Sequence, residues 1–213
     1  MGNILKCRNR GYSYKTVGIT DVGYYFYPGS RNVYFAYDKN FLLGNDGVLL
    51  KVWNSLNKMD ERTPFSKARD FKNTEFHKRA SYKDSEDGLE KGSLSEIYGI
   101  SLKDDIDKAR GPRCRFIDFE EAGVFPGLLE AWSTTDQSVR EGKSVFGFKL
   151  TQGTGGTEGN DIMGLAELFY SPLGYKVKAI SNVFDKTSAH NLVSLFVPSY
   201  MNFSGCYDSN GKS

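Results

Sequence analysis

The sequence predicts an α/β fold with a central, mostly parallel sheet flanked by helices. Two observations carry that expectation. Short apolar runs with strand character recur along the chain, and stretches with helical pattern separate most of them, which is the alternation that crossover connections require. The chain has 213 residues, of which 39% are hydrophobic and 25% charged, enough apolar material for the core of one domain over residues 1–213.

The strand candidates are residues 4–7, 33–37, 97–101, 115–119, 146–150 and 192–197, and the helical stretches are 42–59, 128–139 and 161–170. Between them, residues 60–95 are dense in both signs of charge and show no clear apolar periodicity until the next strand, so they read as a charged surface excursion. Its Lys67, Arg69, Lys72, Lys78, Arg79 and Lys83 are candidates for gripping a polyanion, although a solvated loop explains the same charges. The segment 204–213 is polar and Gly-containing and predicts a terminal loop.

Composition excludes several classes. A formal net charge of +2 argues against both an acidic disordered tail and a whole-chain basic nucleic-acid binder, so any basic surface must be local. No apolar stretch approaches the ~18 residues of a membrane span. The first residues lack the apolar core of a secretory signal, and three widely spaced cysteines make no disulfide framework, which points to a reducing compartment.

Three segments carry chemistry. The first runs from the strand at Ile4 through Lys6, Cys7, Arg8, Asn9, Arg10, Gly11, Tyr12, Ser13, Tyr14, Lys15 and Thr16. A phosphate-binding loop needs backbone N–H groups at a helix N-terminus, a lysine for the β/γ-phosphates and a hydroxyl for Mg²⁺, and all three ingredients are present. The pattern G-x-x-x-x-G-K-[ST] is not met, because Tyr12 follows Gly11 where Lys would stand. A basic strand-to-helix turn without a ligand has the same composition. Lys6 leaves the strand beneath the loop while Lys15 falls in the first helical turn, so Lys6 is the expected phosphate contact and Lys15 the fallback.

The second segment, Cys114 to Gly123, is a strand ending in carboxylates. In ATP hydrolysis one acid holds Mg²⁺ through water and its neighbour orients and deprotonates the attacking water. Asp118 and Glu120 share a face by period-2 alternation, so either is a candidate metal acid; Glu120 paired with Glu121 is the preferred reading. The third segment is Phe146 to Gly156, in which Thr151, Gln152 and Thr154 can hydrogen-bond a γ-phosphate and the glycines, among them Gly153, permit tight turns. A plain Gly-rich turn is its alternative.

In this order, the three motifs resemble the ATPase domain of the large terminase subunits of tailed bacteriophages, whose members package viral DNA. Some members carry the phosphate-loop lysine early, in a K-x-x-R-x-G-x-S form; Lys6, Gly11 and Ser13 match it, with Arg8 and Arg10 near the arginine. The string Phe119-Glu120-Glu121-Ala122-Gly123-Val124-Phe125 is the most family-like. The resemblance implies an ASCE-type P-loop NTPase fold, with the phosphate loop as Walker A and the acid strand as Walker B. It implies ATP and Mg²⁺ as cofactors, and Arg8, Arg10, Gly11, Tyr12, Ser13, Tyr14 and Lys15 with Lys6 around the nucleotide. Ser13 and Glu120 would then hold the metal and Glu121 would be the catalytic carboxylate. Thr151, Gln152, Gly153 and Thr154 would form the coupling motif, and Arg110 would act on a neighbouring subunit's nucleotide.

By the same resemblance the substrate moved is double-stranded DNA, the partners are the portal protein and the small terminase subunit, the assembly is a homo-oligomeric ring, and the place is the host cytoplasm. Two departures stand out. A Glu-Glu pair replaces the usual Asp-Glu, and the family's upstream adenine-contacting segment and downstream RNase H-like nuclease are not found, so the chain reads as a truncated or fragmentary member that alone hydrolyses ATP slowly or not at all. His77 and His190 read as plain surface or satisfied residues. A non-catalytic assembly module keeping the fold, or another P-loop DNA motor such as a helicase, would share much of this pattern.

Overall fold

A computed structural model describes residues 1–8, 11–111, 113–155, 160–185, 187–198 and 205, without the side chains of residues 160 and 161. Its centre is a sheet of seven strands: β1 (Gly2–Lys6), β2 (Arg31–Ala36), β3 (His77–Arg79), β4 (Glu96–Ser101), β5 (Phe116–Phe119), β6 (Phe148–Gly153) and β7 (Leu195–Val197). Their order is β7-β1-β6-β5-β2-β4-β3, and all neighbours run parallel except the edge pair β3 and β4. The helices are α1 (Tyr12–Phe26), α2 (Lys39–Leu43), α3 (Val48–Arg62), α4 (Leu128–Thr134) and α5 (Asn160–Tyr170).

Strand β2 shows why the sheet is covered on both faces. Its alternating side chains fall into two different cores: Val33 and Phe35 pack with Ile117, Phe119, Trp132 and Leu168 beside α4 and α5, while Tyr34 and Ala36 pack with Val17, Leu49, Val52 and Leu56 of α1 and α3. The order also decides the site. Because β6 lies between β1 and β5, the loop after β1, the acids after β5 and the Gly-rich loop after β6 all end on the same carboxyl edge.

The expected elements hold with adjusted boundaries, and several need correction. The helical stretch at 42–59 is two helices, because Gly44 and Gly47 make a tight turn in which a Cβ would come within 2.4 Å of the Asn40 carbonyl and 2.3 Å of the Leu42 carbonyl. The stretch at 128–139 ends as α4 at Thr134 and continues as a 3₁₀ turn, Gln137–Val139. The run at 192–197 divides: Leu192–Val193 pairs with Ile180–Ser181 in a separate ribbon, and only Leu195–Val197 joins the main sheet.

The charged excursion is more structured than a solvated loop. It supplies β3 and a two-stranded ribbon of Tyr82–Lys83 with Glu90–Lys91. Four of its eight basic residues are answered by neighbours: Arg69 pairs with Asp60 at 2.6 Å, Arg79 with Glu90 at 3.4 Å, Lys91 with Asp84 and Asp87, and Lys78 bonds Asn73 and lies over the Trp53 ring. His77 is satisfied by Glu96 at 2.8 Å, and His190 lies against the Tyr170 ring. The terminal segment expected as a loop lies outside the described residues apart from Gly205. No described helix is long and apolar enough to cross a membrane.

One core residue has a measurable consequence. Lys149, on β6, is fully buried, donates to Asp136 at 2.8 Å and to the Trp132 carbonyl, and lies 4.2 Å from the Trp132 ring centre. Burial pushes its ammonium down to about 8, against 10.5 for an ordinary lysine, with Asp136 opposing the shift. Between those values the unfolded chain holds a proton that the native chain has released, so this group makes stability rise with pH. The rise totals about 3 kcal/mol. Urea unfolding of wild type and Lys149→Met across that window is expected to show the rise in the former and its loss in the latter; parallel curves would mean the native lysine titrates normally.

Candidate active site

The phosphate-loop segment emerges from β1 and turns into α1 at Gly11, whose φ of 65° lies in the left-handed region. Among the described residues no side chain caps α1, so its first-turn N–H groups have no side-chain acceptor there. They border a cavity of about 620 Å³ lined by Lys6, Arg8, Gly11, Tyr12, Ser13 and Tyr14, by Glu120, Glu121, Val124 and Thr154, and by Asn40, Phe41, Asp46 and Lys51.

Inside it, the Ser13 hydroxyl donates to Glu120 Oε1 at 2.7 Å, joining the first turn of α1 to the end of β5, which is not a neighbour of the β1 strand that leads into α1. Gln152, on the strand between them, donates through Nε2 to Glu120 Oε2 at 2.7 Å and to Asp118 Oδ2 at 2.8 Å. Asp118, Glu120 and Gln152 are all buried. Burial raises the Asp118 carboxyl well above the usual carboxylate range, with the Glu120 charge adding to it. Burial also raises Glu120, opposed by the Ser13 hydroxyl. The two candidate acids therefore differ: Glu120 borders the cavity, while Asp118 lies beneath it and does not.

Lys6 is only 8% exposed, and its ammonium stands 3.7 Å from Glu121 Oε1. Glu121 occupies the left-handed region at φ 49°, a conformation uncommon outside glycine, which turns the chain sharply off the strand end. The turn is braced by Gly123, where a Cβ would meet the Thr154 carbonyl at 1.9 Å, and by Gly153, where a Cβ would stand 2.6 Å from the Gly123 nitrogen. The backbone after β5 thus rests directly on the backbone after β6.

The other candidates are placed as follows. Lys15 is exposed outside the cavity, with its ammonium 4.0 Å from the Tyr12 ring centre. Arg10 lies outside the described residues. The four coupling residues do not act alike: only Thr154 lines the cavity, Gln152 holds the acids, Gly153 makes the backbone contact, and Thr151 turns its hydroxyl to Asn3, away from where a γ-phosphate would sit. Arg110 lies apart from the cavity, exposed and paired with Asp107 at 2.5 Å. The wall formed by Asn40, Phe41, Asp46 and Lys51 was not anticipated. The signal was the Asp38-Lys39-Asn40 helix start just past β2, hidden when 42–59 was read as one helix.

The residues fit a metal-bound nucleotide. A hydroxyl and a carboxylate oxygen side by side suit a cation that takes most of its remaining ligands from phosphate and water, as Mg²⁺ does. Lys6, Arg8 and Lys51 line the same cavity and would supply positive charge opposite phosphates.

Neither a protein-family model nor a curated protein sequence matches the chain. Solved structures do. The large terminase ATPase domain of Thermus phage P74-26 superposes with a TM-score of 0.56 at 19% identity, covering 79% of this chain and 64% of that one. The large terminase of bacteriophage HK97 superposes with a TM-score of 0.52 at 14% identity, covering 89% of this chain and 38% of that one. The chain thus spans about two thirds or less of the length of these proteins. Together with the mostly parallel sheet, these likenesses show that the chain has the fold of the phage large terminase ATPase domain.

Proposed function

We propose that this chain is the ATP-hydrolysing motor domain of a phage DNA-packaging terminase, working in the host cytoplasm to drive double-stranded DNA into a procapsid. The observation that carries the reading is the Ser13–Glu120 hydrogen bond at 2.7 Å, set in a cavity that also holds Lys6 and Glu121. A loop hydroxyl and a strand-end carboxylate so placed are what a phosphoryl-transfer site needs to hold Mg²⁺.

In this reading Ser13 and Glu120 would hold Mg²⁺, which would supply positive charge opposite the phosphates. Lys6, helped by Arg8, Lys51 and the N–H groups of the α1 first turn, binds the β/γ-phosphates. Tyr12 and Tyr14 border the nucleotide. Phosphate drawing the Lys6 ammonium away releases Glu121, which then orients the attacking water and accepts its proton. Gln152 and buried Asp118 hold Glu120 in place from below. The backbone contact between the turns after β5 and β6 connects Thr154 to the acids and provides the coupling route. The portal protein, the small terminase subunit and further copies of the chain in a ring are the partners this role requires.

Nucleotide titration tests the assignment. Lys6→Ala is expected to weaken ATP binding by about 10- to 100-fold, the worth of a charge-assisted phosphate contact, and Lys15→Ala to leave it unchanged. The reverse result would move the phosphate contact to Lys15. A wild-type chain that binds ATP but does not hydrolyse it within the assembled ring would favour a non-catalytic assembly module instead.

A further inference from the structure

A second cleft lies at the opposite end of the sheet from the nucleotide site. It measures about 430 Å³ and is lined by the Tyr27–Arg31 turn, Arg113, Arg115, Glu141 and Phe146. Arg31 and Arg115 are cross-strand neighbours at the starts of β2 and β5: the Arg115 N–H donates to the Arg31 carbonyl at 2.8 Å. The three guanidinium groups differ in how far they are committed. Arg31 binds the buried Glu96 at 2.7 Å. Arg113 binds Glu141 at 2.7 Å, but both side chains are more than 60% exposed, and such a pair contributes little and yields readily to a stronger anion. The Arg115 guanidinium lies over the Tyr27 ring, 3.5 Å from its centre, and forms no ion pair with a carboxylate among the described residues. Stacking fixes the plane of a guanidinium and leaves its N–H edge available for a planar pair of oxygens.

We propose that this arginine cleft binds the phosphodiester backbone of nucleic acid, an assignment that rests on the DNA-moving role above and names its contact surface. The chemistry points to phosphate because guanidinium groups are used here, forked donors that match phosphate oxygens two at a time. In the charged excursion the two candidate arginines, Arg69 and Arg79, are committed to Asp60 and Glu90, and the other candidates are lysines, whose ammonium lacks that fork. The cleft is also tied to the motor site: Arg115 immediately precedes β5 and Glu120 immediately follows it, so one short buried strand separates the two.

The test is duplex DNA binding by the full chain over a salt series, comparing wild type with Arg113→Gln, with Arg115→Gln and with the double variant. Each lost phosphate contact is expected to lower the log–log salt slope by about 0.9, so the double variant should lose about 2 units of slope and bind more weakly across all sequences. Lys at both positions should restore most of the slope but not the full affinity. ATP affinity is the second readout, and the far-UV circular dichroism and thermal unfolding of each variant report correct folding separately. An unchanged slope with ATP binding intact overturns the cleft assignment and leaves the motor reading standing. A double variant that loses ATP affinity instead would assign the cleft to free nucleotide and overturn the proposal, as would a wild-type chain that binds no DNA. The exposed Arg113→Gln variant alone, expected to lose about one unit, keeps the test decisive if Arg115→Gln impairs folding.

Discussion

Replacing Glu121 by Gln is expected to lower ATP turnover in the assembled protein by about 10²- to 10⁴-fold and to leave nucleotide affinity unchanged, the signature of an interaction made in the transition state. The geometry separates this residue from its neighbours. Glu120 is committed to Ser13 and Gln152, and Asp118 is buried beneath with no face on the cavity, whereas Glu121 borders the cavity and, among the described residues, forms an ion pair with Lys6 alone. That pair is the reason to expect little loss of affinity: bound phosphate takes over the lysine, so Glu121 is not needed to hold the nucleotide. The amide of Gln keeps the size of the side chain and the left-handed backbone at this position, so any loss reports the missing base rather than a collapsed turn. Single-turnover hydrolysis alongside equilibrium nucleotide binding makes the comparison. Full turnover in Glu121→Gln would move the role of the base to Glu120 or Asp118.

What could be read from the sequence was the chemistry that is local in the chain. Lys6, Gly11 and Ser13 stand within eight residues, Glu120 and Glu121 are adjacent, and a strand flanks each group, so residue types and proximity suggested a phosphate loop and an acid pair although the loop's spacing is irregular. The order of the strands was not readable. Parallel strands are joined through helices rather than hairpins, and nothing local to Phe148–Gly153 says that it inserts between the loop strand and the acid strand. That insertion is what makes Gln152 the residue bridging Asp118 and Glu120 and turns Thr151 to the other side, a division within the coupling segment that composition could not make. The edge strand His77–Arg79 escaped for a different reason: it pairs on one side only and carries polar residues, so no alternation marks it. The Asn40–Lys51 wall was lost because a turn built on Gly44 and Gly47 lay inside a run whose apolar spacing suits one helix.

Arg110→Ala is expected to lower ATP turnover of an assembled ring by about 10³- to 10⁵-fold, the range by which an arginine supplied in trans accelerates phosphoryl transfer. Within one chain this residue cannot reach the nucleotide, since it stands apart from the cavity. Its position suits action on a neighbour. The side chain is 65% exposed, it follows the short 3₁₀ turn Ile106–Ala109, and its one ion pair among the described residues is with an equally exposed Asp107, so little free energy holds it where it is. A phosphate carrying developing charge is the stronger anion and would draw the guanidinium from Asp107. The prediction separates from a structural role by mixing. A ring containing both Arg110→Ala and Glu121→Gln subunits places an intact arginine beside an intact base wherever the two types adjoin in the correct order, so the mixture should hydrolyse ATP although neither variant does so alone. Titrating one variant into the other should raise the rate to a maximum at intermediate composition. A mixture as inactive as its components would leave Arg110 as the partner of Asp107 and nothing more.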